Sequence, residues 1–209
     1  MKKTLLVALT FALLASPAGR AQDAKAAIDA AAATLGATNL RTVQFSGWGY
    51  DYVFGQSYTG SGAWPRFNLP SFTMTIDFAA PAMRDDRRRT QLENPPLGGG
   101  FQPMFGEQRL IAVVNGAYAW DVVGDNAIVP GFRNDRQSNV TGRLDQIWMT
   151  PHGFVKLAMS STATLRTETI RGAKKTIVSI TSPSYGTFEG TLNEQHLVER
   201  IDRWFGHSV

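Results

Sequence analysis

The sequence predicts an α+β fold: a curved antiparallel sheet of about eight strands with an N-terminal helix and an inserted helical pair packed on it. Three observations carry this. Strand-like runs precede and follow one helical stretch, with no regular βαβ alternation, which favours antiparallel pairing. Residues 71–78 alternate strictly, with Phe72, Met74, Ile76 and Phe78 on one face and Thr73, Thr75 and Asp77 on the other. Asn115-Gly116, between two apolar runs, is a strong tight-hairpin signal.

Residues 23–35 read as a helix that Asp23 caps and Gly36 ends, with Ile28, Ala31, Ala32 and Leu35 on one thin apolar face. Val43 and Phe45 begin a strand that continues through Trp48, Tyr50 and Tyr52. Residues 57–70, punctuated by Gly60, Gly62, Pro65 and Pro70, read as a loop. The strand 71–78 turns through 79–82 into a charged strand, 83–92, suited to an edge or to two wet faces. A loop at 95–103 holds Gly98-Gly99-Gly100. The hairpin 110–114/117–122 follows, then a polar, irregular stretch at 123–138. Residues 140–159 are helical in two pieces: Leu144, Ile147 and Trp148 face the core in the first. Thr150 caps and Pro151 starts the second, whose apolar face is Phe154, Val155, Ala158 and Met159. Four strand-like runs (163–170, 174–181, 185–192 and 196–205) close the chain as a meander.

The first 21 residues have the pattern of a secretory leader: basic Lys2-Lys3, an apolar run at 5–15, and small residues at Gly19 and Ala21 before the cleavage point. The apolar run is too short for a bilayer-spanning helix. The expected location is the bacterial periplasm or the exterior, with residues 22–209 forming a single domain. Cleavage removes Lys2, Lys3 and Arg20, so 21 basic residues against 17 acidic ones become 18 against 17. That near-neutral balance argues against a nucleic-acid partner. With no cysteine, disulfide stapling and thiolate metal sites are excluded, and stability must come from apolar burial.

Chemical motifs are sparse. His152, His196 and His207 lack ligand spacing to one another or to a carboxylate, so no metal and no cofactor are expected. There is no Gly-x-Ser-x-Gly elbow, and Gly98-Gly99-Gly100 lacks the Lys-Ser/Thr of a phosphate loop. Arg84-Asp85-Asp86-Arg87-Arg88-Arg89 splits between two strand faces and reads as a solvated strand with internal ion pairs. Trp48, Tyr50, Tyr52, Trp64, Phe67, Phe72 and Phe78 read as core. The functional alternative is an apolar groove between sheet and helical pair, lined by Phe72, Met74, Ile76, Phe78, Ile147, Trp148 and Phe154, for an apolar small molecule or lipid.

Several segments carry a resemblance: Asp23-Ala24-Lys25-Ala26-Ala27-Ile28-Asp29-Ala30 with Ala33-Thr34-Leu35-Gly36-Ala37; Trp64-Pro65-Arg66-Phe67-Asn68; Pro81-Ala82-Met83-Arg84; Arg89-Thr90-Gln91; Ile147-Trp148-Met149-Thr150-Pro151-His152-Gly153-Phe154; and Leu192-Asn193-Glu194-Gln195. In this order they resemble the N-terminal, pre-catalytic region of exported bacterial proteins of the metallo-β-lactamase-fold hydrolase group. The resemblance covers nearly all of the mature chain. It implies a non-catalytic accessory or ligand-binding domain with a hydrolase domain as partner. The family's His-x-His-x-Asp-His metal signature is absent, so no catalytic residue is carried over. The chain stops at Gly206-His207-Ser208-Val209, where the family continues into further strands. The alternatives are a stand-alone relative of the accessory region, or a truncated hydrolase whose metal-binding domain is missing. By analogy of element order the region also looks like the curved-sheet folds of periplasmic lipoprotein carriers.

Overall fold

The computed structural model describes residues 17–53, 55–100, 102–123, 127–130 and 136–204. The apolar run of the leader and the residues from 205 to the end, His207 among them, lie outside the described residues. The fold is α+β and antiparallel. Helix α1 (Pro17–Leu35) precedes strands β1 (Thr42–Tyr52), β2 (Arg66–Asp77), β3 (Ala82–Gln91), β4 (Gln108–Asn115), β5 (Tyr118–Val123) and β6 (Ala127–Pro130). Helices α2 (Arg136–Trp148) and α3 (Pro151–Met159) follow, then β7 (Thr162–Ile170), β8 (Ala173–Ser182), β9 (Gly186–Leu192) and β10 (Val198–Arg203).

The single curved sheet expected from the sequence is two sheets. A six-stranded meander runs in order from β1 to β6, and a four-stranded one in the order β10-β9-β8-β7. The inserted helices separate the chain's two strand-rich parts, and each part pairs within itself. Helix α2 lies on β3, β4 and β5, helix α1 on β7 and β8, and α3 touches α1, α2 and β10. The main core fills the space between: Ile76, Met83 and Val114 from the first sheet meet Val178, Ile180 and Phe188 from the second. Ile147, Phe154 and Val155 fill the middle.

Local chemistry accounts for most boundaries. Thr150 caps α3 by accepting the Gly153 amide at 3.1 Å, with Pro151 in the first turn. Gly36, at φ +64°, ends α1. Helix α1 begins at Pro17, however, so Asp23 sits inside it and is not its cap. In the β4–β5 hairpin Asn115 pairs with Tyr118, which makes Gly116-Ala117 the central residues. Of these two only Gly116 has positive φ (+55°), the requirement of a II′ turn. The β7–β8 turn has both central residues positive, Arg171 at +51° and Gly172 at +80°, the I′ pattern.

Two stretches expected as loop or irregular chain carry strand. The first half of β2 extends through Leu69-Pro70, and residues 127–130 form β6. Pro70 is tolerated because β2 is bulged there: its register shifts against β3 between Asn68 and Ser71 and against β1 opposite Gly47 and Gly49. The triple-glycine loop is tied down: the Gly99 amide donates to Gln56 O at 2.9 Å, and a Cβ on Gly98 would stand 2.0 Å from that oxygen.

The outer face of the small sheet is bound by one polar cluster. Arg166 reaches both Glu189 oxygens (2.5 and 2.9 Å), and Ser179 Oγ donates to Oε1 at 2.5 Å. The Arg166 hydrogen bonds, with a smaller contribution from Ser179, hold the Glu189 carboxyl below the ordinary carboxylate range. A lowered folded-state pKa means that the stabilisation is present above the unfolded-state pKa and is lost as pH falls through the folded one. Glu189→Gln is therefore expected to lower stability by about 0.5–1 kcal/mol at pH 7. Urea unfolding at a series of pH values should show variant and parent converging as the carboxylate titrates.

Candidate functional site

The residues expected to line an apolar groove fall into three groups. Ile76, Ile147 and Phe154 are closed inside the core, at 0%, 0% and 1% exposure. Met74 is partly buried against that core. Phe72 lies apart from it and meets Phe45 edge-on, with ring centroids 6.0 Å apart. Phe78 and Trp148 belong to the same buried cluster and also form the wall of an open recess.

That recess is built from three distant segments. Phe78 comes from just beyond β2, Trp148 from the last residue of α2, and Tyr185 from the β8–β9 turn. Phe78 and Trp148 stand 6.5 Å apart and Trp148 and Tyr185 5.1 Å, ring centre to ring centre. Leu157 and Met159 of α3 complete the apolar wall of a cavity of about 390 Å³. Lys156 is the one charged residue of its lining, with Nζ 5.8 Å from the Phe78 ring centre. A second recess, of about 270 Å³, shares Phe78, Ala79 and Lys156 with the first. Its remaining wall is mixed, with Thr38, Asn39 and Arg41 beside Leu40. The volume of the first falls in the range of small-molecule sites, and the second is slightly smaller.

A second unusual feature is the charge on the inner face of the large sheet. As the alternation predicts, Arg84, Asp86 and Arg88 occupy one face of β3, and Asp85, Arg87 and Arg89 the other. The first three are exposed or half-buried at the surface, where Arg109 grips Asp86 with two bonds (2.9 and 2.7 Å). The other three are not solvated as expected. Asp85 is 1% exposed, Arg87 bridges it to Asp51 of β1, and Arg89 also bonds Asp51. Burial pulls the Arg87 pKa down from its ordinary value despite the pull of Asp51. Across the sheet Asp85 aligns with Ala112 and then Asp121. Buried Asp121 is met by Arg143 of α2 at 2.5 Å, and the same guanidinium caps the carbonyls of Val113 (2.7 Å) and Trp120 (2.6 Å). Each of these acids has an arginine partner, in a network whose Asp51–Arg87–Asp85 part ties β1 to β3 and whose Asp121–Arg143 part ties β5 to α2. It presents neither a free base nor a nucleophile.

The aromatic cluster of the first third divides. Phe67 and Phe78 are buried, while Trp48, Tyr50 and Tyr52 stand exposed along β1, the edge of the large sheet, and Trp64 is exposed beside it. Among the described residues no three His, Asp or Glu side chains gather into a metal-holding group. His152 is half-buried in the first turn of α3, and His196, at φ +60°, occupies the β9–β10 turn. Among the described residues no helix is long and apolar enough to cross a membrane.

The recess is what sequence reasoning missed. Lys156 and Tyr185 have no motif around them, and their proximity to Phe78 exists only in three dimensions. The one available signal was amphipathic mismatch: Lys156 interrupts the apolar run 153–158 of α3. No known protein family and no curated protein matches this chain.

Proposed function

We propose that this chain is an exported, non-catalytic ligand-binding domain, of the accessory kind that precedes metallo-β-lactamase-fold hydrolase domains. Its ligand has an apolar body that seats in the recess formed by Phe78, Trp148 and Tyr185. The observation that carries this reading is the recess itself. A closed core leaves two large aromatic rings, Phe78 and Trp148, bordering a cavity of about 390 Å³ next to exposed Met159. The leader-like start supports export, and the ordered resemblance of the mature chain supports the accessory role.

The test is calorimetric titration of the purified mature protein with decan-1-ol. Saturable one-site binding is expected. Ala79→Trp, at an exposed position in the wall of both recesses, should weaken it at least about tenfold by filling the cavity, with an unchanged thermal midpoint. No saturable binding, or binding indifferent to Ala79→Trp, contradicts the site. Elemental analysis tests the non-catalytic part: one equivalent or more of tightly held transition metal contradicts it.

A further inference from the structure

Resting on the reading above, we infer that the ligand is a single-chain anionic amphiphile, its tail in the aromatic recess and its anionic group between Lys156 and Arg41. Two independent observations lead there. The adjoining recesses offer different side chains: one is walled by Trp148, Leu157, Met159 and Tyr185, the other by Thr38, Asn39, Leu40 and Arg41, and Phe78, Ala79 and Lys156 belong to both. A molecule filling both would lay its body on the aromatic wall and bring a polar group to Thr38, Asn39 and Arg41. Charge then fixes the sign of the polar end. Among the described residues nearly every Arg and Lys pairs with a carboxylate, Arg66 with Glu93, Arg109 with Asp86 and Lys175 with Glu199 being examples. Among the cations whose side chains are described, those with no carboxylate partner are Arg41, Lys156, Arg171 and Lys174, and two of these four line the recesses.

No acid lines either recess, and the adjacent Asp77 carboxylate is engaged by the Ala79 and Ala80 amides. Lys156 holds its ammonium over the Phe78 ring, the ring that both recesses share. A charge-assisted hydrogen bond from such a group to a carboxylate or phosphate is stronger than one to an uncharged hydroxyl. The same chemistry fits a free fatty acid or a lysolipid head group. The cavity volumes suit one chain outside a bilayer.

Decanoate and decan-1-ol separate the charge from the chain. In calorimetry decanoate should bind about tenfold or more tightly than decan-1-ol, and its affinity should fall as salt rises. The double variant Arg41→Gln/Lys156→Gln should erase that preference. The protein should stay in the supernatant with phosphatidylglycerol vesicles, as expected for a free amphiphile. Equal affinities for the two probes, or a preference that survives the double variant, overturn the anion assignment while the apolar site stands. Binding to the vesicles but not to decanoate overturns the free-amphiphile assignment. If neither probe binds, the underlying ligand-binding reading falls, and this inference falls with it.

Discussion

Phe154→Ala should cost about 3–5 kcal/mol of stability, one of the two largest single-residue effects expected. The ring is 1% exposed at the centre of the core. It lies directly on β9, where a Cβ on Gly190 would stand 2.3 Å from it. That glycine makes room for the ring, and the ring joins α3 to the small sheet. Truncation removes the buried rim and leaves a cavity that neither the sheet nor the helix can close easily. For a domain of this size the thermal midpoint should fall by roughly 6–20 °C. Phe154→Leu, which keeps most of the volume, should cost only about 1–2 kcal/mol. Denaturant unfolding monitored by circular dichroism gives both numbers. A loss below about 1 kcal/mol for Phe154→Ala would mean that the ring faces water, restoring the open groove that its place beside Ile147 and Trp148 in sequence had suggested.

Arg143→Met should be comparably damaging, at about 3–5 kcal/mol, for an electrostatic reason. Asp121 is 3% exposed, and Arg143 is its partner at 2.5 Å. Without the guanidinium, a buried carboxylate stands uncompensated and the carbonyls of Val113 and Trp120 lose a shared donor. Asp121→Asn in the same background removes the stranded charge and should restore a substantial part of the loss. The double variant would then be more stable than Arg143→Met alone. Additive losses would show instead that the two side chains do not act as a pair.

These two predictions also mark what could be read from the sequence. The α3 cap was legible because Thr150-Pro151 acts through its own backbone, and the β4–β5 hairpin because Gly116 supplies positive φ locally. The first half of β2 was not, because Pro70 is a strand breaker unless a bulge accepts it, and the bulge shows only in the register of β2 against both of its neighbours. The division into two sheets was hidden for a related reason: strand periodicity reports each strand's faces but not which strands share a ladder. Alternation placed Asp85, Arg87 and Arg89 together on one face of β3. It could not tell that this face is largely closed from water, with Asp51 of β1 supplying the charge that balances Arg87 and Arg89. Of the site, the aromatic walls Phe78 and Trp148 were legible as apolar positions. Tyr185, Lys156 and Arg41 were not, since they converge from a turn, a helix and the chain before β1.

The amphipathic recess proposed above as the working surface is tested most directly by a crystal structure of the mature protein grown with saturating decanoate. Density is expected for the chain against Trp148 and Tyr185, with the carboxylate near Lys156 and on the Arg41 side of Phe78. An empty recess at saturation, or density for decanoate elsewhere on the molecule, contradicts it.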